Sequence, residues 1–116
     1  MQNKQFQMPI KCDEAIKCIF NLNTLDINVY KKLKQIGPTQ AKDLATHLNK
    51  ERSTVYRSLQ KLTNCGICKK KVKTLPQGGH YHLYRCCSIK KIQRNAEDFL
   101  EQWYSDLKKT LNSLKD

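Results

Sequence analysis

Apolar side chains recur every three or four residues over much of the chain, which is the spacing of one helix face. This pattern predicts a first short helix over Lys11–Phe20 and a second over Leu25–Ile36, with Thr24 as the N-cap of the second. Gly37 fits the position that ends the second helix, and Pro38 prevents its continuation.

Two more short helices are predicted between Thr39 and Asn64, joined by a polar turn at Asn49-Lys50. Thr39 is expected to cap the first of these helices. Their apolar stripes are Ala41, Leu44, Ala45 and Leu48 in the first helix and Val55, Leu59 and Leu62 in the second. This pair has the pattern of a helix-turn-helix, in which the second helix is the recognition helix.

The face of the recognition helix opposite its apolar stripe is basic and rich in hydroxyls. Glu51 is the only acid between Lys50 and Asn64, and Arg52 projects from the first turn. The polar face comprises Lys50, Ser53, Thr54, Arg57 and Lys61. Such a face suits a helix that lies in the major groove of DNA, although a solvated surface helix is the simpler alternative.

After Asn64 the apolar spacing changes to two short extended runs, Ile67–Lys73 and His80–Cys86. The loop between them contains Pro76 and the pair Gly78-Gly79, which predicts a hairpin with a longer turn. A helix-turn-helix followed by a basic hairpin is a winged helix. The hairpin, or wing, is expected to direct a set of polar side chains toward DNA phosphates or the minor groove. They are Lys69, Lys71, Lys73, Gln77 and His80.

The C-terminal part of the chain is predicted to form one long helix, which Ser88 caps. Its apolar stripe comprises Ile92, Ala96, Phe99, Leu100, Trp103, Leu107, Leu111 and Leu114. A small winged-helix core cannot cover so long a stripe. We therefore expect this helix to pair with the same helix of a second chain, whereas a helix folded back on its own domain is the alternative.

A chain of 116 residues has the length of one domain. The fold class predicted is α+β and mainly helical. We expect residues 1–9 to be a flexible N-terminus, residues 10–87 to form the winged-helix DNA-binding domain, and residues 88–116 to form the dimerisation helix.

The formal net charge is +12, and much of it is concentrated. Between Lys50 and Lys73 there are eight Lys or Arg residues and one acid, a balance that favours a polyanionic partner. The sequence shows no apolar run long enough to cross a membrane and no secretory signal, so a cytoplasmic location is expected.

The six cysteines are expected to be reduced thiols, metal ligands or a redox switch rather than a structural disulfide framework. If the hairpin centres near Gln77, Cys68 falls almost opposite Cys86, and a disulfide between them would stiffen or re-aim the wing. Zinc at Cys65, Cys68 and Cys86 is a weaker alternative, because Cys86 and its neighbour Cys87 point to opposite faces of a strand.

The simplest interpretation is that these thiols are small buried side chains, and no cofactor is expected. Cys12 and Cys18 are likewise expected to pack in the interior. Tyr56 is expected to be half-buried rather than to stack on bases. The histidines have no acidic partner or nucleophile nearby in the sequence, which indicates no catalytic site.

Two segments, RSTVYRSL at 52–59 and GGHYHLY at 78–84, resemble the recognition helix and wing of small archaeal winged helix-turn-helix regulators of the TrmB-like group. The similarity extends over about Ile10–Leu111. It implies a dimeric, DNA-binding transcriptional regulator. Larger members have a separate sugar-binding domain, for which this chain has no residues left, so carbohydrate sensing is not expected. Stand-alone members of about this length include the euryarchaeal activator of the archaellum operon.

The sequence therefore predicts a homodimeric regulator that binds specific sites in double-stranded DNA, and no membrane or small-molecule partner. The expected DNA-binding residues, in addition to those of the polar helix face and the wing, are Thr39, Gln40, Arg52 and Ser58. Two alternatives are an architectural protein that coats DNA without choosing a site and a winged-helix adaptor that docks on proteins of the transcription machinery. An enzyme is not expected.

Overall fold

The computed structural model describes residues 11–115, which form five α-helices and a two-stranded antiparallel sheet. The helices are α1 (Cys12–Ile19), α2 (Thr24–Ile36), α3 (Ala41–Leu48), α4 (Arg52–Asn64) and α5 (Ile89–Asn112), and the strands are β1 (Cys68–Thr74) and β2 (His80–Cys86). The predicted α+β class, with a winged helix-turn-helix followed by a long C-terminal helix, is confirmed. The residues predicted to form a flexible N-terminus lie outside the described residues.

The core lies where α2, α3, α4 and the start of β1 meet. The aliphatic side chains with no exposed surface come from α2, α3, α4 and the residue before β1: Val29, Leu33, Leu44, Val55, Leu59, Leu62 and Ile67. Burial of one such side chain contributes roughly 1.5–3 kcal/mol to folding. The helix-turn-helix is therefore held by the same residues whose spacing predicted it.

The start of α2 differs from the prediction, because the cap is Asn23 and not Thr24. The Asn23 side chain accepts a hydrogen bond from the Asp26 amide at 2.8 Å, and the Asp26 carboxylate accepts one from the Asn23 amide at 2.9 Å. This reciprocal capping box satisfies two amides that a helix start would otherwise leave unpaired. At the other end, Gly37 ends the helix with a φ of +84°, as predicted.

Thr39 does not cap α3, contrary to the prediction. Its amide donates to the Tyr84 carbonyl at 3.0 Å, and its carbonyl accepts from the Tyr84 amide at 2.8 Å, so Thr39 forms a one-residue bridge beside β2. Gln40 occupies the cap position without a side-chain hydrogen bond. The bridge attaches the wing to the start of the helix-turn-helix.

The wing pairs in one continuous register from Cys68 opposite Cys86 to Thr74 opposite His80. This confirms a hairpin centred on Gln77. After the wing, the Ser88 hydroxyl accepts a hydrogen bond from the Lys91 amide at 3.2 Å and caps α5, as predicted. Within residues 11–115, no helix is both long and apolar enough to cross a membrane.

Candidate nucleic-acid interface

The recognition helix, α4, is anchored to α2 through one buried carboxylate. Asp26 is 2% exposed. It accepts a hydrogen bond from the Ser58 hydroxyl at 2.6 Å and an ion-paired hydrogen bond from the Lys61 ammonium at 2.7 Å. With its capping-box contacts, Asp26 therefore joins the start of α2 to the inner side of α4.

This network sets the protonation of Asp26. Burial by itself would raise the pKa of the carboxyl group, because it disfavours the charged form. The hydrogen bonds from Lys61, Ser58 and the Asn23 amide outweigh that effect and lower the pKa below its ordinary value of 3.8. Asp26 is thus an ionised anchor at neutral pH.

The network also changes the set of side chains that α4 presents to a ligand. Ser58, expected to contact DNA, is only 4% exposed, and its hydroxyl is used inside the protein. Lys61 remains accessible, with its side chain 42% exposed, but its ammonium is shared with Asp26. The sequence pattern could not reveal this contact, because Asp26 and Ser58 are 32 residues apart.

The outer face of α4 is open to solvent. Arg52, Ser53 and Arg57 are exposed and Thr54 is half-buried. Within residues 11–115 the side-chain ion pairs join Lys31 to Asp13 and Lys61 to Asp26, so neither arginine of α4 is neutralised by a carboxylate. Both guanidinium groups are available to an external acceptor such as a phosphate or a guanine edge.

A groove of about 590 Å³ lies between the N-terminal half of α4 and strand β2. It brings together the predicted residues Gln40, Arg52, Ser53 and His80. It is also lined by aromatic and imidazole side chains that the sequence analysis did not assign to the site: Tyr56, Tyr81, His82 and Tyr84. The predicted polar residues thus border a concave surface with an aromatic floor.

Tyr56 is more accessible than predicted, with 40% of its surface exposed. Its hydroxyl accepts a hydrogen bond from the Gln60 amide group at 2.6 Å, one helical turn away. The aromatic ring borders the groove, where a planar or anionic ligand could contact it. Its position one step from the apolar stripe, which suggested half-burial, instead places it at the rim.

The predicted wing residues do not share one face of the hairpin. Side chains alternate along a strand, so Lys69, Lys71 and Lys73 project from one side of the sheet. His80 projects from the other, together with Tyr84, which is buried against the helices. The lysines therefore form an outer face, whereas His80 lies on the groove side.

Three other predicted residues do not line the groove. Gln77 is exposed at the tip of the wing. Lys50 is exposed next to the lysines of α2, in a shallow recess that it shares with Lys31 and Lys32. Thr39 is half-buried and is held by its bridge to β2.

The apolar stripe of α5 divides into two parts. Ile92 is 4% exposed, Ala96 is partly buried, and both pack against the core of their own chain. Phe99 makes an edge-to-face contact with Phe20, with ring centroids 5.2 Å apart, and is still 47% exposed. Farther along, the large apolar side chains are exposed to solvent: Leu100, Trp103, Tyr104, Leu107 and Leu111. Leu114, predicted to continue the stripe, is also exposed but follows the end of the helix at Asn112.

The cysteines also fall into two groups. Cys12 and Cys18 are exposed on α1, so the prediction that they pack in the interior was wrong. Cys68 is buried, whereas Cys65, Cys86 and Cys87 are half-buried near the base of the wing. Among residues 11–115, no three His, Cys, Asp or Glu side chains are placed to hold a metal ion.

Comparison with known proteins assigns this architecture to a family. The sequence profile of the family described as "Sugar-specific transcriptional regulator TrmB" matches residues 16–90. The uncharacterised protein MJ1503 of Methanocaldococcus jannaschii is 30% identical over 103 residues, which cover 89% of this chain and 78% of that protein.

Solved structures show the same fold. A possible transcriptional regulator from Methanosarcina mazei superposes with a TM-score of 0.72 at 27% identity and covers 92% of this chain and 91% of its own. TrmBL2, an archaeal chromatin protein, superposes with a TM-score of 0.57 at 22% identity, over 87% of this chain and 36% of its own.

The family profile covers the second half of α1, the helix-turn-helix and the wing, and thus includes every residue that lines the groove. The members of this family regulate transcription and are not enzymes, and their fold implies DNA binding. The chain therefore belongs to the TrmB family of transcriptional regulators.

Proposed function

We propose that the protein binds specific sites in double-stranded DNA as a homodimer and thereby regulates transcription. The observation that carries this proposal is the outer face of α4, where Arg52 and Arg57 are exposed and pair with no carboxylate of residues 11–115, and where Arg52 lines an open groove. Exposed arginines without a carboxylate partner suit a surface that receives phosphates and base edges.

Arg57 is the residue we assign to base recognition. It lies in the second turn of α4, with Ser53 one turn before it and Thr54 nearby. A guanidinium group can bind the O6 and N7 atoms of guanine in a bidentate manner, and such a contact discriminates by about 1–3 kcal/mol. Lys50, which precedes α4, and Lys61, one turn after Arg57, are also proposed contacts, whereas buried Ser58 is left out.

The groove residues are proposed to hold the DNA backbone. Gln40 lies at the start of α3, Arg52 at the start of α4, and His80 at the start of β2. Side chains from three elements converge there, and amides at helix starts favour a phosphate. These contacts would orient α4 without reading sequence themselves.

The outer face of the wing is proposed to supply longer-range attraction. Lys69, Lys71 and Lys73 project from the same side of β1, and Arg85 lies opposite Lys69. Neutralising phosphates with such cations releases counterions, so their contribution should fall steeply with salt and should not depend on the sequence of the duplex.

Dimerisation is proposed to occur through α5. Trp103 is 46% exposed, Leu107 46% and Leu111 65%, which is an unusual run of large apolar side chains for a surface helix. Beside the stripe, α1, α2 and α5 enclose an apolar recess of about 710 Å³ that includes Ile16, Ile19, Ile92 and Ala96. A two-fold arrangement would let each α5 cover the stripe of the other and would present two recognition helices.

The experiment that tests this function is the selection of bound duplexes from a random pool, with reductant present and salt near physiological. Enrichment of an inverted repeat with half-sites about one helical turn apart is expected from a site-specific dimer. Tight binding without enrichment would instead indicate an architectural protein, and no retention would indicate a protein partner. The selected motif would also test whether the archaellum operon is a target.

A further inference from the structure

Cys68 and Cys86 are opposite one another at the base of the wing. The next pair along the strands is Ile67 opposite Cys87. It is hydrogen-bonded, since the Cys87 amide donates to the Ile67 carbonyl at 2.8 Å. Because hydrogen-bonded and non-hydrogen-bonded pairs alternate in an antiparallel ladder, Cys68 and Cys86 form a non-hydrogen-bonded pair. Cα atoms in such pairs are about 4.5 Å apart, which lies within the range that a disulfide spans.

The two thiols differ in exposure and acidity. Cys68 is 2% exposed, whereas Cys86 is half-buried. A hydrogen bond from the Cys68 thiol lowers the pKa of Cys86 against the opposing effect of burial, and the charge of Lys34 acts in the same direction. The same hydrogen bond, together with burial, raises the pKa of Cys68. The lower pKa therefore belongs to Cys86, the less buried of the two residues, and a lowered pKa favours the reactive thiolate form.

The remaining cysteines lack this arrangement. Cys87 is the immediate neighbour of Cys86 and therefore points to the other side of the strand. Cys65 ends α4, and burial raises its pKa. Cys12 and Cys18 are exposed on α1, away from the wing. The opposed pair at the base of the wing is thus a distinct site.

We propose that Cys68 and Cys86 form a reversible disulfide when the protein meets hydrogen peroxide, and that this bond stiffens the wing against the helix-turn-helix. The Cys86 thiolate attacks one peroxide oxygen, the O–O bond breaks, and the departing hydroxide is protonated to water. Cys68 then attacks the sulfenic acid of Cys86, the S–S bond forms, and the S–O bond breaks. The Cys68 proton and hydroxide leave as a second water.

In these two reaction steps, the two thiols together lose two electrons to one peroxide molecule. A dithiol reductant reverses the oxidation by thiol–disulfide exchange. The bond would join the two strands at the base of the wing, where the wing is connected both to α4 and to the segment that precedes α3. β1 follows α4 through buried Ile67, and β2 is tied to Thr39 by the bridge at Tyr84. A constraint at this position limits the motion of the wing relative to the recognition helix.

The chemical part of the proposal is tested without DNA. Reduced protein is treated with hydrogen peroxide, blocked with an alkylating reagent, digested, and analysed by mass spectrometry. We expect a Cys68–Cys86 cross-link within one chain, with slower hydrogen exchange at wing amides, both reversed by a dithiol. The Cys87→Ser variant should keep the cross-link, and the Cys86→Ser variant should lose it and the change in exchange. Oxidation that yields only sulfinic acid, or links other cysteines, would overturn the proposal.

The consequence for binding rests on the proposed function. Preorganising the wing lowers the cost of ordering it on DNA, so oxidised protein should bind a selected duplex about threefold more tightly than reduced protein. Cys86→Ser protein should show no change with peroxide. Equal affinity of the two forms, with the cross-link present, would refute the coupling to the wing. Failure of both forms to bind DNA would refute the proposed function instead and would leave the cross-link and exchange results to decide the chemistry.

Discussion

α4 and α5 are both amphipathic helices with an apolar side chain at every third or fourth position, but their apolar stripes differ in burial. In α4 the stripe residues Val55, Leu59 and Leu62 are fully buried. In α5 most of the stripe stays exposed, 46% at Trp103 and Leu107 and 65% at Leu111. The same pattern in one chain thus produces a closed core and an open surface.

This difference shows what helical periodicity determines. The spacing identifies a face that is stabilised by leaving water, and it does not identify the surface that covers it. The apolar face of α4 packs against α2 and α3, which short turns place next to it. For most of α5 no cover lies among residues 11–115, and the proposed second chain would supply it.

The largest effect that we expect separates the two stripes directly. Leu59→Ala should lower the free energy of unfolding by about 2–5 kcal/mol, because it leaves a cavity in the core of the winged-helix domain. Leu107→Ala should instead weaken self-association, by about 1–2 kcal/mol per chain. Thermal unfolding at several protein concentrations distinguishes them: the loss in Leu59→Ala persists at all concentrations, and that in Leu107→Ala fades on dilution. Identical concentration dependence would contradict the distinction.

Asp26 tests how the recognition helix is held in place. Asp26→Ala removes the capping box and leaves the buried Ser58 hydroxyl unpaired, which should cost about 2–4 kcal/mol. Because the pKa of Asp26 is lowered in the folded protein, the stability it contributes is present above pH 4 and is lost as pH falls through the folded pKa.

The measurement for this prediction is urea unfolding from pH 7 to pH 2. The stability difference between wild type and Asp26→Asn should shrink at acid pH, where the wild-type carboxyl is also neutral. A difference that stays constant across this range would show that the charge of Asp26 has no role in anchoring α4.

Gly66 tests the junction between α4 and α5. Its φ is +82°, and an added Cβ would overlap the Asn95 amide, whose nitrogen donates to the Gly66 carbonyl at 2.8 Å. Gly66→Ala should therefore cost about 1–3 kcal/mol and displace the start of α5. Gly78→Ala is the matched control, since its φ is +97° but its Cβ would meet open space. Equal losses of thermal stability would mean that only backbone strain matters.

The last predictions concern DNA binding by the outer surface of the winged-helix domain. Arg57→Ala should weaken binding to a selected duplex by about 1–3 kcal/mol and relax its specificity. Lys71→Ala should weaken cognate and random duplexes alike and lower the salt slope by about one. Fluorescence anisotropy titrations at several salt concentrations measure both changes. If Arg57→Ala weakened all duplexes equally, Arg57 would be a phosphate contact and not a base contact.

Much of the fold could be predicted because it depends on local patterns. The stripe of Leu44, Leu59 and their neighbours placed the helix-turn-helix, and the turn around Gln77 placed the register of the wing. Strand alternation combined with this register also determines that His80 and Lys71 lie on opposite faces of the wing.

What could not be predicted depends on contacts between distant segments or on competition between neighbours. Ser58 and Lys61 bond to Asp26, which is more than thirty residues away in the sequence. Because the helical pattern does not indicate this contact, it predicted that both side chains face DNA. Asn23 and Thr24 are both good caps, and the reciprocal bond with Asp26 selects Asn23. Thr39 likewise pairs with Tyr84, a partner that the sequence does not indicate.

The molar mass of the protein in solution tests the proposed cover of α5 most directly. Sedimentation equilibrium of the reduced wild type should give about twice the chain mass of 13.6 kDa, and Leu107→Asp should give a single chain mass with unchanged helical circular dichroism. A wild type that remains at 13.6 kDa at concentrations where it binds its selected duplex would contradict a dimer formed through α5.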